Sequence, residues 1–217
     1  MSGALQVVFQ NQRSFIPPLA VGDAYEGGFF AGKISTAGNG IADYNLVIGP
    51  VASAQTFKLW KNANTATTGA DSVIDGPQNT TDMVNDGNAT VYPAAHFCND
   101  LSTGGQTDWY MPAKNELEVC YYNLKPSTTS NDTSSGINAN AVPARASNYT
   151  AGNPAQTSST DFKTTGTEDF TAANYWSSTE YSALYAWRQY FGSGYQGGIA
   201  FDKTGNNRVR AIRRVAV

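Results

Sequence analysis

Between Tyr181 and Phe201 the chain sets Tyr181, Tyr185, Tyr190, Tyr195 and Phe201 around Arg188, with Gly192, Gly194, Gly197 and Gly198 among them. Those residue types do recognition chemistry rather than bond-breaking. Tyrosine offers a broad apolar ring and a hydroxyl at little rotamer cost, and glycine and serine let backbone approach a ligand. Arginine adds a planar charged donor of the kind enriched in interfaces. A tyrosine ring stacks well on a sugar face, while apolar contact combined with hydrogen bonds suits a protein. A plainer reading, that several of these residues only cover the core of a small sheet, stays open from the residues alone.

Residues for catalysis are sparse. His96 is the sole histidine, which leaves little for acid–base work and no His-rich metal site; a capping or solvent-facing place in a helix suits it. Cys98 and Cys120 make neither a CxxC nor a zinc pattern, and both a pair of buried reduced thiols and a bridge between them fit. No GxSxG, HExxH or phosphate-binding loop is present. The expectation is a non-enzyme with no catalytic residue, no cofactor and no metal. "DGPQN" (75–79) and "NDGN" (85–88) gather oxygens that suit Ca²⁺ but lack regular ligand spacing, and read as turns. The arginines of "RVRAIRRV" (208–215) alternate with apolar residues, as in a strand whose charges pair with carboxylates such as Glu116 or Glu180. Charged residues make up 14% of the chain and the net charge is −3, the reverse of a basic nucleic-acid domain.

The elements that position these residues are legible in outline. A chain of 217 residues holds one sizeable core. Residues 1–21 read as an extended arm for docking or assembly, with "LQVVF" able to add a strand and "FIPPLAVGD" stiffened by its prolines. A domain follows over 22–217. "YEGGFFAGKI", "YNLVIGPV" and "TFKLW" read as short strands, and 62–89 as loop. In "TVYPAAHFCNDL" Pro93 fits a first helical turn, and Ala94, Phe97, Cys98 and Leu101 recur at helical spacing. "AKNELEVCYYNL" repeats the pattern with Leu117, Cys120, Tyr121 and Leu124, places Glu116 in its first turn, and stops before Pro126. Residues 127–173 form a polar insertion with rare anchors at Ile137, Val142, Tyr149, Phe162 and Phe170. "NYWSST", "YAWRQYF", "GGIAFD" and "RVRAIRRV" then read as short strands. No window approaches the roughly 18 apolar residues of a spanning helix, so no membrane insertion is expected. "MSGALQVVFQNQR" lacks a basic start and a signal-length apolar stretch, which predicts synthesis without ordinary export.

Taken together, "GDAYEGGFFAGKI", "YPAAHFCNDLSTGGQTDWYMPAKNELEVCYYNL", "NYWSSTEYSALYAWRQYF" and "NRVRAIRRV" resemble the bacterial and phage family often called DUF1566. That family is similar to the C-terminal domain of the Legionella collagen-like adhesin. It is grouped with the C-type lectin-like folds of phage tropism determinants and retroelement-diversified proteins. The resemblance spans about Gly22 to Val217, interrupted by the insertion; "DWYMPAKNEL" and "YWSSTEY…AW…RVRAIRRV" are its specific parts. It implies an α+β, C-type lectin-like fold, in which two helices flank small twisted antiparallel sheets with long loops, and an N-terminal extended arm lies outside. It implies that Trp109 and Pro112 set the turn into the second helix, that Trp176 and Trp187 are core pillars, and that "RVRAIRRV" is one closing strand.

Between those pillars the resemblance places the exposed stretch, so Tyr181, Tyr185, Arg188, Tyr190, Tyr195 and Phe201 are the implied ligand-binding residues. Whether the stretch is diversified or an ordinary loop stays open. Enzymes of the same fold use a reactive cysteine pair near the C-terminus, and no cysteine follows Cys120. The Glu-Pro-Asn and Trp-Asn-Asp motifs of calcium-dependent lectins are also absent. The implied function is a phage virion protein, a tail fibre or a tail- or head-attached adhesin. It would be made in the host cytoplasm, joined to other virion proteins through the arm as a homo-oligomer, and would bind a host-surface glycan or protein. A structural decoration or adaptor protein is the alternative.

Overall fold

Aromatic and β-branched residues between glycine turns build the strands first. In the computed structural model, which describes residues 18–199 and 201–217, β1 (Ala24–Tyr25), β2 (Gly28–Ile34) and β3 (Tyr44–Ile48) follow one another. Then come a single turn α1 (Val51–Ala54), strand β4 (Gln55–Leu59), and helices α2 (Gly76–Asp86), α3 (Pro93–Asn99) and α4 (Lys114–Leu124). The chain finishes with β5 (Ala141–Val142), β6 (Asn174–Glu180), β7 (Ala186–Tyr190), β8 (Gln196–Gly197), β9 (Asn206–Arg210) and β10 (Ile212–Ala216). The fold is α+β. One sheet runs β1-β2-β3-β10 with β5 on β2; the other runs β4-β9-β6-β7-β8. Among the described residues all strand pairings are antiparallel except Tyr175 with Arg208, where β6 and β9 run parallel. Of the expected arm, residues 1–17 lie outside the described residues.

Helices α3 and α4 form where apolar spacing predicts them, with Pro93 in the first turn of α3 and Glu116 in the first turn of α4. Two helices are too few, however, because α2 occupies a stretch that reads as loop. Its residues are poor helix formers individually, and neighbours hold them. Asp75 accepts a cap from the Gln78 amide (3.3 Å), Thr80 back-bonds to Gly76 (2.8 Å), and Met83 is fully buried. Asn79, also fully buried, donates to the Ser72 carbonyl (2.7 Å) and to the Ser178 hydroxyl on β6 (3.1 Å). Tertiary packing overrides weak propensity here. The "DGPQN" stretch is thus a helix start rather than a free turn.

Two apolar clusters fill the interior. In one, α4 lays Leu117, Cys120, Tyr121 and Leu124 on Ile34, Leu46 and Ile48. In the other, Trp60, Trp109 and Trp176 pack with Met83, Tyr92, Cys98 and Val209 beneath α2 and α3. Each buried indole contributes roughly 2–3 kcal/mol relative to exposure. Cys98 and Cys120 lie in different clusters as free thiols.

The insertion is almost without regular structure but is packed. Phe170 stacks on Phe191 at 3.9 Å, and Phe162 meets Phe29 edge-on at 5.4 Å. Fully buried Glu118 of α4 pairs with Arg145 and accepts from the Tyr149 hydroxyl (2.5 Å) and the Asn138 amide (2.5 Å). Asn131 accepts from the Tyr121 hydroxyl (2.7 Å) and donates to the Pro154 carbonyl (2.9 Å). These bonds satisfy the polar atoms that burial would otherwise penalise. Ile137 does not anchor the insertion; it is 56% exposed.

"RVRAIRRV" is two strands, not one. The chain crosses between sheets at Ala211, whose amide donates to the Ala54 carbonyl (2.8 Å) while its carbonyl accepts from Gly49 (2.9 Å). Three of its four arginines end on carboxylates: Arg210 on Glu168 (2.6 Å), Arg213 on Asp108 (2.6 Å) and Arg214 on fully buried Glu116 (2.8 Å). Glu180 is taken by Lys203 of the preceding loop instead.

Candidate binding face

The "YWSST" stretch of β6 is a platform in which nearly every polar atom is committed. Trp176 donates its indole N–H to the Lys58 carbonyl (3.2 Å), and Trp60 donates to the Ser177 carbonyl (2.9 Å). The ladder with β7 slips between Trp176 and Glu180, and the Ser177 hydroxyl fills the irregularity by donating to the Trp187 carbonyl (3.0 Å). Thr179 donates to the Ser72 carbonyl (2.8 Å). Glu180, besides its pair with Lys203, accepts from the Thr67 amide (2.9 Å). The stretch is therefore scaffold, as the resemblance implies for Trp176.

Above this platform two loops meet, 181–185 after β6 and 191–205 between β7 and β9. The Tyr185 backbone bridges to Asp202, and Lys203 donates to the Leu184 carbonyl (3.0 Å). Together the loops display Tyr181, Leu184, Tyr195, Ile199 and Phe201, which are 40–58% exposed. Tyr185 and Tyr190 are half-buried at the margin. Of the predicted ligand residues, Tyr181, Tyr195 and Phe201 are exposed on these two loops. Leu184 and Ile199 were not anticipated, since lone aliphatics among tyrosines and glycines carry no periodic signal.

Arg188 is not a surface residue. It is 6% exposed, and one guanidinium nitrogen donates to the carbonyls of Ile199 (2.9 Å) and Gly197 (3.3 Å) from below, while the group lies 4.6 Å from the Phe201 ring centroid. It props the loop from its inner side. Across the ladder Arg188 stands opposite buried Trp176, and Trp187, one residue earlier, falls on the other face of β7. Trp187 is correspondingly not a core pillar. Half-buried, it stands on the other side with the Tyr181 ring edge-on at 5.1 Å. Trp109 and Trp176 are buried as expected, and the third buried indole is Trp60, read only as the end of a strand.

Beside Trp187 lies a cleft of about 200 Å³ that the insertion completes. Lys114, the first residue of α4, forms one wall with Gln196, and Ser134, Ser135, Ile137 and Asn148 form the other. The Lys114 ammonium sits 4.7 Å from the Trp187 ring centroid. Burial pushes its pKa down from the ordinary lysine value, with Glu118 pulling weakly the other way. Asp202, at the foot of the loop, is held below its ordinary value by the Thr204 hydroxyl (2.7 Å). A larger groove of about 410 Å³ runs along α3 between Lys58, Pro93, His96, Phe97 and Leu101, and shares no lining residue with the face. His96 is engaged there, with Nε2 2.8 Å from the Gly87 carbonyl. Among the described residues no three His, Cys, Asp or Glu side chains group as metal ligands. No helix among them is long and apolar enough to cross a membrane.

The family profile of the Lcl C-terminal domain matches residues 51–213. No curated protein matches the chain. Among solved structures the chain is similar to a fimbrial protein from Bacteroides ovatus, at 17% identity and a TM-score of 0.41, over 77% of this chain and 35% of that one. The chain thus spans about a third of the length of that protein.

Proposed function

The chain belongs to the Lcl C-terminal domain family, and from that premise we propose that it is a non-catalytic, adhesin-like domain whose aromatic face binds a receptor on a host-cell surface. One observation carries the reading: Tyr181, Leu184, Tyr195, Ile199 and Phe201 stand exposed on two loops that are tied to each other over a hydrogen-bonded platform. Contiguous exposed apolar groups on a soluble domain mark interaction sites, and aromatic anchors carry most of the energy of such sites. Rigid loops reduce the ordering entropy that binding costs. In this reading the C-type lectin-like class is the fold's relation, and the receptor is a glycan or a protein. In the same reading the domain is carried on a phage virion and repeated there, so that weak single contacts add by avidity.

Adsorption of the labelled protein to candidate host cells tests this. The parent binds, and Tyr181→Ala with Phe201→Ala reduces binding at least tenfold while leaving the fold intact. Equal binding by parent and variant refutes the face. Immunogold labelling of phage particles tests the virion placement, which unlabelled particles refute.

A further inference from the structure

The cleft beside Trp187 has a chemistry of its own, distinct from the aromatic loops above it. Lys114 brings three N–H donors into a partly desolvated wall. Among the described residues its ammonium makes no ion pair, and its closest charged neighbour on the helix, Glu118, is already engaged by Arg145, Asn138 and Tyr149. The Trp187 ring offsets part of the desolvation but accepts no conventional hydrogen bond. The amides of the first turn are also committed: Lys114 donates to the Thr179 hydroxyl (2.9 Å) and Asn115 to the Val73 carbonyl (2.8 Å). The ammonium is therefore the group left to meet an anion.

Around it the walls are neither apolar nor charged. Gln196 is fixed by donating its amide side chain to the Lys114 carbonyl (3.1 Å) and its backbone N–H to the Ser135 hydroxyl (3.0 Å), which leaves its side-chain oxygen free to accept. Asn148 is exposed on the opposite rim. Ile137 and the Trp187 ring supply apolar surface. Gly136 sets this wall: its φ of 116° is left-handed, and a Cβ there would lie 2.3 Å from the Tyr149 ring, so the loop can take this path only with glycine. At about 200 Å³ the space is below the roughly 300–1,000 Å³ of drug-sized sites, enough for a single ring. One cation, several neutral hydrogen-bonding groups and an aromatic side define an amphipathic ring bearing one negative charge.

We propose that this cleft binds one carboxylate-bearing sugar residue of a surface glycan, with the carboxylate on Lys114, ring hydroxyls on Gln196 and Asn148, and the apolar ring edge on Trp187. The proposal rests on the receptor-binding reading and names the part of the receptor that enters this site. The insertion then has a role, since it supplies the wall that turns a lone lysine into a pocket.

The test is an NMR titration of the ¹⁵N-labelled full chain with sodium glucuronate, glucose and acetate separately, following the Trp187 indole and Gln196 side-chain signals. Glucuronate shifts both, and glucose and acetate act at least about tenfold more weakly. Lys114→Met removes the preference for glucuronate over glucose while its remaining spectrum stays native, and Trp187→Ala weakens glucuronate about tenfold. The charged hydrogen bond from Lys114 accounts for a roughly tenfold preference for glucuronate over glucose. Equal responses to glucose and glucuronate overturn the role of charge; equal responses to acetate and glucuronate reduce the site to a bare cation. No response, or a Lys114→Met protein that responds like the parent, overturns the site altogether. Failure here with adsorption still lost in the Tyr181→Ala, Phe201→Ala protein refutes the cleft and leaves the aromatic face standing. Failure of adsorption in the parent refutes the face itself.

Discussion

Replacing Arg188 with methionine separates the two roles its side chain can have. Methionine keeps most of the apolar stem but none of the donors, so the change removes the bonds to the Ile199 and Gly197 carbonyls and the contact with the Phe201 ring. Hydrogen bonds from a charged group are worth about 1.5–3 kcal/mol each, and a partly exposed cation–ring contact about 0.5–1 kcal/mol. Against this stand the desolvation of the guanidinium, which burial pushes below the ordinary arginine pKa, and its buried Nε, which has no partner among the described residues. An unmet buried donor costs about 1–3 kcal/mol, which the substitution recovers, and the freed carbonyls regain water. The net loss is about 2 kcal/mol, or roughly 4–8 °C in melting temperature for a domain of this length. Urea unfolding followed by tryptophan fluorescence measures the stability, and hydrogen exchange at the amides of residues 197–203 measures the order of the loop. The expected result is a lower midpoint with faster exchange in that loop, and weaker cell binding as the consequence. Unchanged midpoint and exchange with binding lost would refute the reasoning and make Arg188 a direct ligand contact.

Three further outcomes follow from buried or hydrogen-bonded ionisable groups. Arg214→Met strands the carboxylate of Glu116, whose pKa burial already raises; a loss of about 3 kcal/mol or more is expected at neutral pH. Because the folded-state pKa is then raised above the unfolded one, the deficit grows as pH rises through that interval and shrinks toward pH ~4.3, where the group is half-protonated even when unfolded; urea unfolding at two pH values checks it. Asp202 is lowered instead, by the Thr204 hydroxyl first. Its contribution is complete above the unfolded value of about 3.9 and is lost as pH falls through the lower folded one. Amide shifts of Thr204 and Gly205 therefore hold steady into the acid range, and Asp202→Asn abolishes their titration. Burial pushes both thiols, Cys98 and Cys120, far above the ordinary range, so a thiol reagent leaves the native protein unlabelled and modifies two sites in denaturant.

What the sequence discloses tracks where the determining forces lie along the chain. Pro93 and the spacing from Leu117 to Leu124 locate α3 and α4 because those signals are local. Helix α2 escapes, since its anchor Asn79 reaches Ser178, 99 positions away. Three of the six expected ligand residues, Tyr181, Tyr195 and Phe201, are exposed; their type declares them. Arg188 and Trp187 exchange roles because composition gives neither strand phase nor the slipped register that sets Trp176 opposite Arg188. The cleft is illegible for a different reason: its two walls come from Lys114 and from 134–148, joined only through the packing of the insertion.

The support beneath the face has a consequence for its history. Arg188 grips carbonyl oxygens at positions 197 and 199, and every one of the twenty amino acids carries that atom. The side chains at 195 and 199 can therefore be exchanged with little effect on the path of the loop, because those bonds do not read their identity; Phe201, whose ring lies on the guanidinium, is the exception. A surface built this way separates the inheritance of shape from the inheritance of preference. New partners can be tried one substitution at a time, on a frame that does not have to be rediscovered.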